Sequence, residues 1–126
     1  MNKLVIILIG LCLTSCILFT EDGVDVEIVN NSDHPIHNIK FYTTEELTIL
    51  TYDTIKVNQK VEEFLSMKKN KTDGGYVFEC TRVNGEKIED GGGYYTNGAE
   101  IERRVSIEVR NDTTMINFSG SRYDHY

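Results

Sequence analysis

The sequence predicts an all-β fold, an antiparallel β-sandwich of immunoglobulin-like type with about seven or eight strands, after a cleaved N-terminal signal helix. Apolar and polar residues alternate with period two from residue 24 onward. Turn-forming clusters interrupt this alternation about every ten residues. Ten glycines, seven tyrosines and a single proline also suit a small sheet with tight turns. A β-barrel is the alternative architecture.

The first two predicted strands flank a clear turn. In "VDVEIV", Val24, Val26 and Ile28 share one face, as a half-buried strand requires. The turn formers and the proline of "NNSDHP" end this strand. The alternation then resumes in "IHNIKFYT", where Ile39 and Phe41 are the predicted inward pair.

The next two segments are less regular. Residues 48–57 are rich in Thr, Ile, Tyr and Val, and their apolar positions change parity near Asp53. We therefore expect the chain to cross there from one strand to another. The segment "QKVEEFLSMKK" fits helical spacing, but Val61, Leu65 and Met67 also fit a strand, which we favour.

The second half of the predicted domain contains two hairpin signals. Before them, "YVFECTRV" predicts a strand that buries Cys80 as an unpaired thiol. Asn97-Gly98 is a strong hairpin signal because both turn positions need a positive φ. A further hairpin is expected about Asn111-Asp112, after a strand whose inward residues are Ile101, Val105, Ile107 and Val109. The predicted domain covers residues 23–119, and residues 120–126 form a polar, frayed tail.

The N-terminal segment "MNKLVIILIGLCLTSC" differs from the rest of the chain. Lys3 precedes an apolar run of about ten residues, which has the length of a signal-peptide core and is too short for a transmembrane helix of about 20 residues. The last four residues, Leu13-Thr14-Ser15-Cys16, resemble the lipobox of bacterial lipoproteins. An ordinary secretory signal peptide is the alternative.

The lipobox resemblance implies a processed, membrane-anchored chain. Residues 1–15 would be the signal peptide, cleavage would fall between Ser15 and Cys16, and Cys16 would carry acyl chains such as palmitate. Residues 16–22 would be a short tether to the cell envelope. Ile17 stands where an inner-membrane retention signal would place Asp, so the outer membrane is favoured. The periplasmic and surface faces both remain open.

Composition restricts the partners of this chain. The formal net charge is −7, from 13 Lys+Arg against 20 Asp+Glu. Such a surface repels phosphate backbones, so nucleic acid is excluded as a partner. The only cluster of basic residues is Lys68-Lys69-Asn70-Lys71.

One patch has the composition of a binding loop. In "DGGGYYTNG", three glycines suggest a mobile loop or a close-approach surface, and an exposed tyrosine beside them offers contact area at low entropic cost. On a strand, Tyr94 and Tyr95 point to opposite faces, so we expect one in the core. A plain hairpin with an edge aromatic is the alternative. The candidate binding-loop residues are Gly91, Gly92, Gly93, Tyr94, Tyr95 and Asn97.

The sequence predicts no catalytic site, metal site or cofactor. It has no nucleophile elbow, no HExxH and no phosphate-binding loop. His34 and His37 are expected to be ordinary loop histidines. Asp22, Asp25 and Asp90 lack the spacing of a calcium loop. Asp53-Thr54-Ile55 and Asp112-Thr113-Thr114 resemble acceptor motifs for O-glycosylation of exported bacterial proteins, and their use is left open.

The order of turns and strands over residues 24–119 is similar to that of small bacterial lipoproteins with one sandwich domain. That resemblance supports the sandwich fold and carries no catalytic residues across. A lipobox joined to a compact sheet domain without catalytic residues leads us to expect a non-enzymatic, lipid-anchored module that binds a protein or glycan partner at the cell envelope. The alternative is a periplasmic inhibitor or immunity protein whose acidic surface covers the basic site of an enzyme or toxin.

Overall fold

Nine β-strands make up this computed structural model, which describes residues 21–122. The predicted signal peptide, the cleavage position at Ser15 and the lipidation position at Cys16 lie outside the described residues. No helix in the described part of the chain is long and apolar enough to cross a membrane. The strands are β1 Gly23–Asn30, β2 Ile36–Thr43, β3 Ile49–Ile55, β4 Lys60–Ser66, β5 Gly74–Thr81, β6 Lys87–Thr96, β7 Ala99–Glu100, β8 Glu102–Val109 and β9 Thr114–Ser121.

The strands form two packed sheets, which confirms the predicted all-β sandwich. One sheet has the order β4-β1-β8-β9 and the other has the order β3-β2-β5-β6-β7. Every pairing is antiparallel except β1 with β8, which is parallel. The strand order of the four-stranded sheet differs from that of an immunoglobulin constant domain, which joins its first, second, fifth and fourth strands in one sheet.

The alternation of apolar residues becomes the core between the sheets. Val24, Val26 and Ile28 of β1 are at most 3% exposed, and Tyr76, Phe78 and Cys80 of β5 are equally buried. Cys80 is a free, buried cysteine, as predicted. The inward pair of β2 and the strand assignment of β4 are also confirmed. The buried set is completed by Ile36, Ile39, Phe41, Leu50, Ile55, Leu65, Met67, Tyr95, Val105, Ile107 and Val109.

The predicted crossover near Asp53 is wrong, because Ile49–Ile55 is one continuous strand. The neighbouring strand β2 has the same irregularity, because Ile36 and Ile39 are both buried although residues three apart on a regular strand point to opposite faces. Between them Asn38 has a φ of 51°, and the pairing of β2 with β5 shifts its register there. A bulge therefore changes which side chains face inward while the strand continues.

The domain is slightly longer at both ends than the predicted range 23–119. At the start, Met67 N–H donates to Asp22 O at 2.8 Å, and Glu21 bonds the Ser66 hydroxyl. These last two residues of the predicted tether are therefore attached to the sandwich. At the other terminus β9 continues to Ser121, and Arg122 N–H donates to Ile101 O at 2.8 Å. Strand pairing thus holds the first residues of the predicted tail.

The two ends of the sandwich carry different loops. The N-terminal end holds Gly23, the β2–β3 loop 44–48, the β4–β5 loop 67–73 and the turn 97–98. The opposite end, called the far end below, holds loops 31–35, 56–59, 82–86 and 110–113. Strand β1 joins the two ends and spans about 23 Å at a rise of about 3.3 Å per residue.

Candidate functional site

The predicted binding loop is a strand, not a loop, over most of its length. Gly91, Gly92 and Gly93 lie within β6, where Gly91 pairs with Val77 of β5. A Cβ atom on Gly93 would lie 2.5 Å from the ring of Phe118, and the φ of Gly93 is 67°. The glycines are thus a close-approach surface, which lets an aromatic ring from the other sheet pack against the strand.

The two tyrosines point to opposite faces, as predicted. Tyr95 is fully buried and lies 5.6 Å from Tyr76 between ring centroids, whereas Tyr94 is 49% exposed. The turn that follows is the predicted hairpin, with a φ of 50° at Asn97 and 76° at Gly98.

Asp73 fixes this turn from the β4–β5 loop. Its carboxylate accepts from Asn97 N–H at 2.8 Å and from the Thr96 hydroxyl at 3.0 Å. The bond from Asn97 N–H is the main reason why the pKa of Asp73 is lowered. A hydrogen bond with Asp73 also raises the pKa of the Tyr94 hydroxyl. The segment therefore presents one exposed tyrosine on strand β6, just before a hydrogen-bonded turn at the N-terminal end of the sandwich.

A better-formed concave site lies at the far end. Loops from three strand connections enclose a cleft of about 350 Å³, called the far-end cleft below. Its surface mixes apolar and polar groups, and Val83 at the hairpin tip is 58% exposed. The lining residues are Ser32, Asp33, His34, Pro35, Ile36, Arg82, Val83, Asn84, Glu86 and Asn111.

Asn30 organises one wall of the cleft from a fully buried position at the end of β1. Its Nδ2 donates to His34 O at 2.9 Å and to Ile55 O at 3.1 Å. Its Oδ1 accepts from Ser32 N–H at 3.0 Å and from the Ser32 hydroxyl at 2.6 Å. An asparagine side chain has two donors and two acceptor sites, so this one uses all four. The β1–β2 loop is consequently held in one conformation.

Two further contacts tie the loops to each other. Asp33 and Asn111 form a reciprocal pair, since Asp33 N–H donates to Asn111 Oδ1 and Asn111 Nδ2 donates to Asp33 Oδ2, both at 2.8 Å. Arg82 Nη2 donates to Arg110 O at 2.7 Å, which joins the β5–β6 and β8–β9 hairpins. These bonds preorganise the cleft, so less conformational entropy of its loops is lost when a ligand binds.

The cleft has the chemistry of recognition. It offers an arginine, carboxylates, amides and an exposed valine within reach of one ligand surface. In the described residues no group of three or more His, Cys, Asp and Glu side chains could hold a metal ion. His34 is an exposed loop residue, and His37 Nδ1 lies 3.1 Å from the Thr54 hydroxyl on the sheet.

The outer face of the four-stranded sheet holds a second, acidic depression of about 380 Å³. Phe64 of β4, whose ring is exposed, lies opposite Asp25 of β1 in the sheet register, and Asp25 in turn lies opposite Arg104 of β8. Glu62 lies opposite Glu27 in the same two strands as Phe64 and Asp25. This surface could meet a basic partner.

The turns around the far-end cleft are predictable from the sequence, but the cleft itself is not. "NNSDHP" and the turn at Asn111-Asp112 were each identified as turns, and they lie 78 residues apart where Asp33 meets Asn111. Local patterns carry no information about which turns meet in space. The reciprocal Asp33–Asn111 pair has no sequence signal.

Comparison with known proteins supports the fold and extends no further. No protein-family model matches the chain, and no curated protein matches it. The chain is similar to a solved structure described as "NMR structure of the protein from Eubacterium rectale". The two share 12% sequence identity at a TM-score of 0.51, over 82% of this chain and 94% of that chain. At such low identity the similarity shows a shared β-sandwich and nothing about activity.

Proposed function

We propose that this protein is a lipid-anchored lipoprotein of the bacterial cell envelope that binds a protein or glycan partner through its far-end cleft, without catalysing a reaction. One observation carries the proposal. Strand β1 begins at Gly23, and the cleft lies at the opposite end of β1, about 23 Å away. An acylated Cys16, only seven residues before Gly23, would therefore hold the N-terminal end at the membrane and direct the cleft outward.

Anchoring is tested by Cys16→Ser in the full chain. We expect this variant to lose palmitate labelling and to move from the membrane fraction to the soluble fraction, because two or three acyl chains supply the membrane affinity. Outer- and inner-membrane fractions of the unaltered chain are separated on a density gradient in the same experiment. Labelling and partition that match those of the unaltered chain would contradict the anchor.

Partner binding is tested separately at the cleft. Val83→Glu places a charge at the exposed hairpin tip and should reduce capture of proteins or glycans from envelope extract by at least about tenfold. Leu47→Glu is the matched control, since Leu47 is 47% exposed but lies at the N-terminal end. Equal loss in both variants, or in neither, would contradict a role for the cleft.

The acidic depression around Phe64 favours a second candidate, a periplasmic inhibitor or immunity protein. Its Asp25, Glu27 and Glu62 side chains could cover a basic active site. Under this alternative, Glu62→Lys reduces capture and Val83→Glu does not. The interaction should also weaken strongly as salt is raised from 50 to 500 mM, because charge attraction over such a surface is screened.

A further inference from the structure

The edge strands of the two sheets differ in how they are protected. Natural proteins protect exposed edges with charges, prolines or bulges, because unpaired N–H and C=O groups accept another strand. Within the described residues, the four-stranded sheet ends in β4 and β9, and the five-stranded sheet ends in β3 and in β6 beyond the two-residue β7. Three of these edges carry charges, at Lys60, Glu62 and Glu63 of β4, at Asp53 of β3, and at Lys87, Glu89 and Asp90 of β6.

Strand β9 is the exception. None of its eight residues, Thr114–Ser121, is charged, and none is proline. Met115 on its outer side is 39% exposed, and Ile116 and Phe118 are half-buried on its inner side. The buried hydroxyl of Thr114, at the start of this edge, has no hydrogen-bond partner among the described residues. Only Gly120, with a φ of 74°, interrupts the regular strand, close to its end.

The hydrogen-bond phase of β9 shows which backbone groups face outward. Arg110 N–H donates to Thr113 O at 2.9 Å, so this pair is hydrogen-bonded across the hairpin. Bonded pairs alternate along an antiparallel ladder with the constant register seen here. The backbone groups of Met115 and Asn117 therefore point to β8, and those of Thr114, Ile116 and Phe118 point away from the sheet.

Symmetry favours a second copy of this chain as the occupant of that edge, and the uncharged strand β9 is where charge repulsion between copies opposes it least. Two copies with a net charge of −7 repel each other, so they approach most easily along an uncharged strip. An antiparallel twofold pairing also gives each outward N–H an identical carbonyl to bond.

We propose that two copies pair antiparallel through β9 and join their four-stranded sheets into one eight-stranded sheet. The twofold axis passes by Ile116, so that Thr114 of each copy pairs with Phe118 of the other. This register forms about six main-chain hydrogen bonds between the copies. On the outer face it brings Met115 of each copy next to Asn117 of the other. The inference goes beyond the proposed function and does not depend on the lipid anchor or on the cleft.

The test measures the mass of the purified full chain by light scattering in detergent, with the detergent contribution subtracted. The unaltered chain should have twice the mass of one copy at about 100 μM. Met115→Glu combined with Asn117→Glu should halve that mass, because like charges then face each other across the axis. Met115→Lys combined with Asn117→Glu should restore the dimer, since opposite charges then meet in the proposed register.

The control combines Thr51→Glu with Lys87→Gln, which changes the net charge by the same −2 on two other edges. This variant should remain dimeric, and all four proteins should melt within a few degrees of one another. A monomeric unaltered chain would overturn the proposal. So would a Met115→Glu/Asn117→Glu chain that stays at twice the mass, which is the result expected if two anchors merely share a micelle. Failure of the charge-swapped variant to dimerise would overturn the register and hence the pairing proposed.

Discussion

Replacing Asn30 by alanine should destabilise this protein far more than replacing its neighbour Asn31. In Asn30→Ala, Ser32 N–H and Ile55 C=O both lose a buried partner, whereas the single hydrogen of the Ser32 hydroxyl can be donated to His34 O, 2.8 Å away. Each orphaned buried group costs about 1–3 kcal/mol, so we expect the free energy of unfolding to fall by about 3–4 kcal/mol. That loss is a large part of the roughly 5–15 kcal/mol that stabilises a typical domain.

Urea unfolding followed by circular dichroism measures this change. With a slope of about 1–3 kcal/mol per molar urea, the midpoint of Asn30→Ala should fall by about 1–4 M. Asn31→Ala is the control, because its side chain is exposed and donates a single bond, to Glu108 at 2.9 Å. We expect that control to change stability by less than about 0.5 kcal/mol. Similar midpoints for the two variants would refute the role given to Asn30 in the far-end cleft.

Two further predictions concern the glycine run and the buried thiol. Gly93→Ala should lower the free energy of unfolding by about 2–4 kcal/mol in thermal unfolding, because the new methyl group meets the Phe118 ring at a positive φ. The control is Gly85→Ala, which also has a positive φ but no atom within 4 Å, and it should cost about 1–2 kcal/mol. Equal losses in the two variants would contradict the packing of Phe118 against Gly93. Burial raises the pKa of the Cys80 thiol to about 11, so at pH 8 its peptide should react with iodoacetamide at least about 100-fold more slowly in the folded chain than in urea. An unfolded thiol ionises near pH 8.5, so the contribution of Cys80 to stability is present below that pH and is lost as pH rises toward 11. Cys80→Ala should therefore make the free energy of unfolding fall less steeply with pH between about 8.5 and 11. An unchanged dependence on pH would contradict the burial of this thiol.

The strands that sequence analysis predicted correctly have strict local alternation. Val24, Val26 and Ile28 could be assigned to one face without knowing their partners, because side chains on any strand alternate between its two faces. The Asn97-Gly98 turn was predictable for a similar reason, since a positive φ at two consecutive residues is a local requirement.

The predictions that failed depended on neighbours distant in sequence. The parity change near Asp53 was read as a crossover because the matching irregularity at Asn38 lies on another strand. For the glycines of "DGGG" the sequence leaves a mobile loop and a close-approach surface both open, because nothing local indicates that Phe118 packs against them. In both cases the missing information was the identity of the packing partner.

Local sequence pattern is enough to predict the two-layer β architecture, the inward faces of most strands and the burial of Cys80, because alternation and turn chemistry act within a few residues. Tertiary structure alone decided the parallel pairing of β1 with β8, the meeting of Asp33 with Asn111, and the exposure of an uncharged edge at β9. Which strands become neighbours depends on how the whole chain buries its apolar faces at once. No window of adjacent residues contains that information.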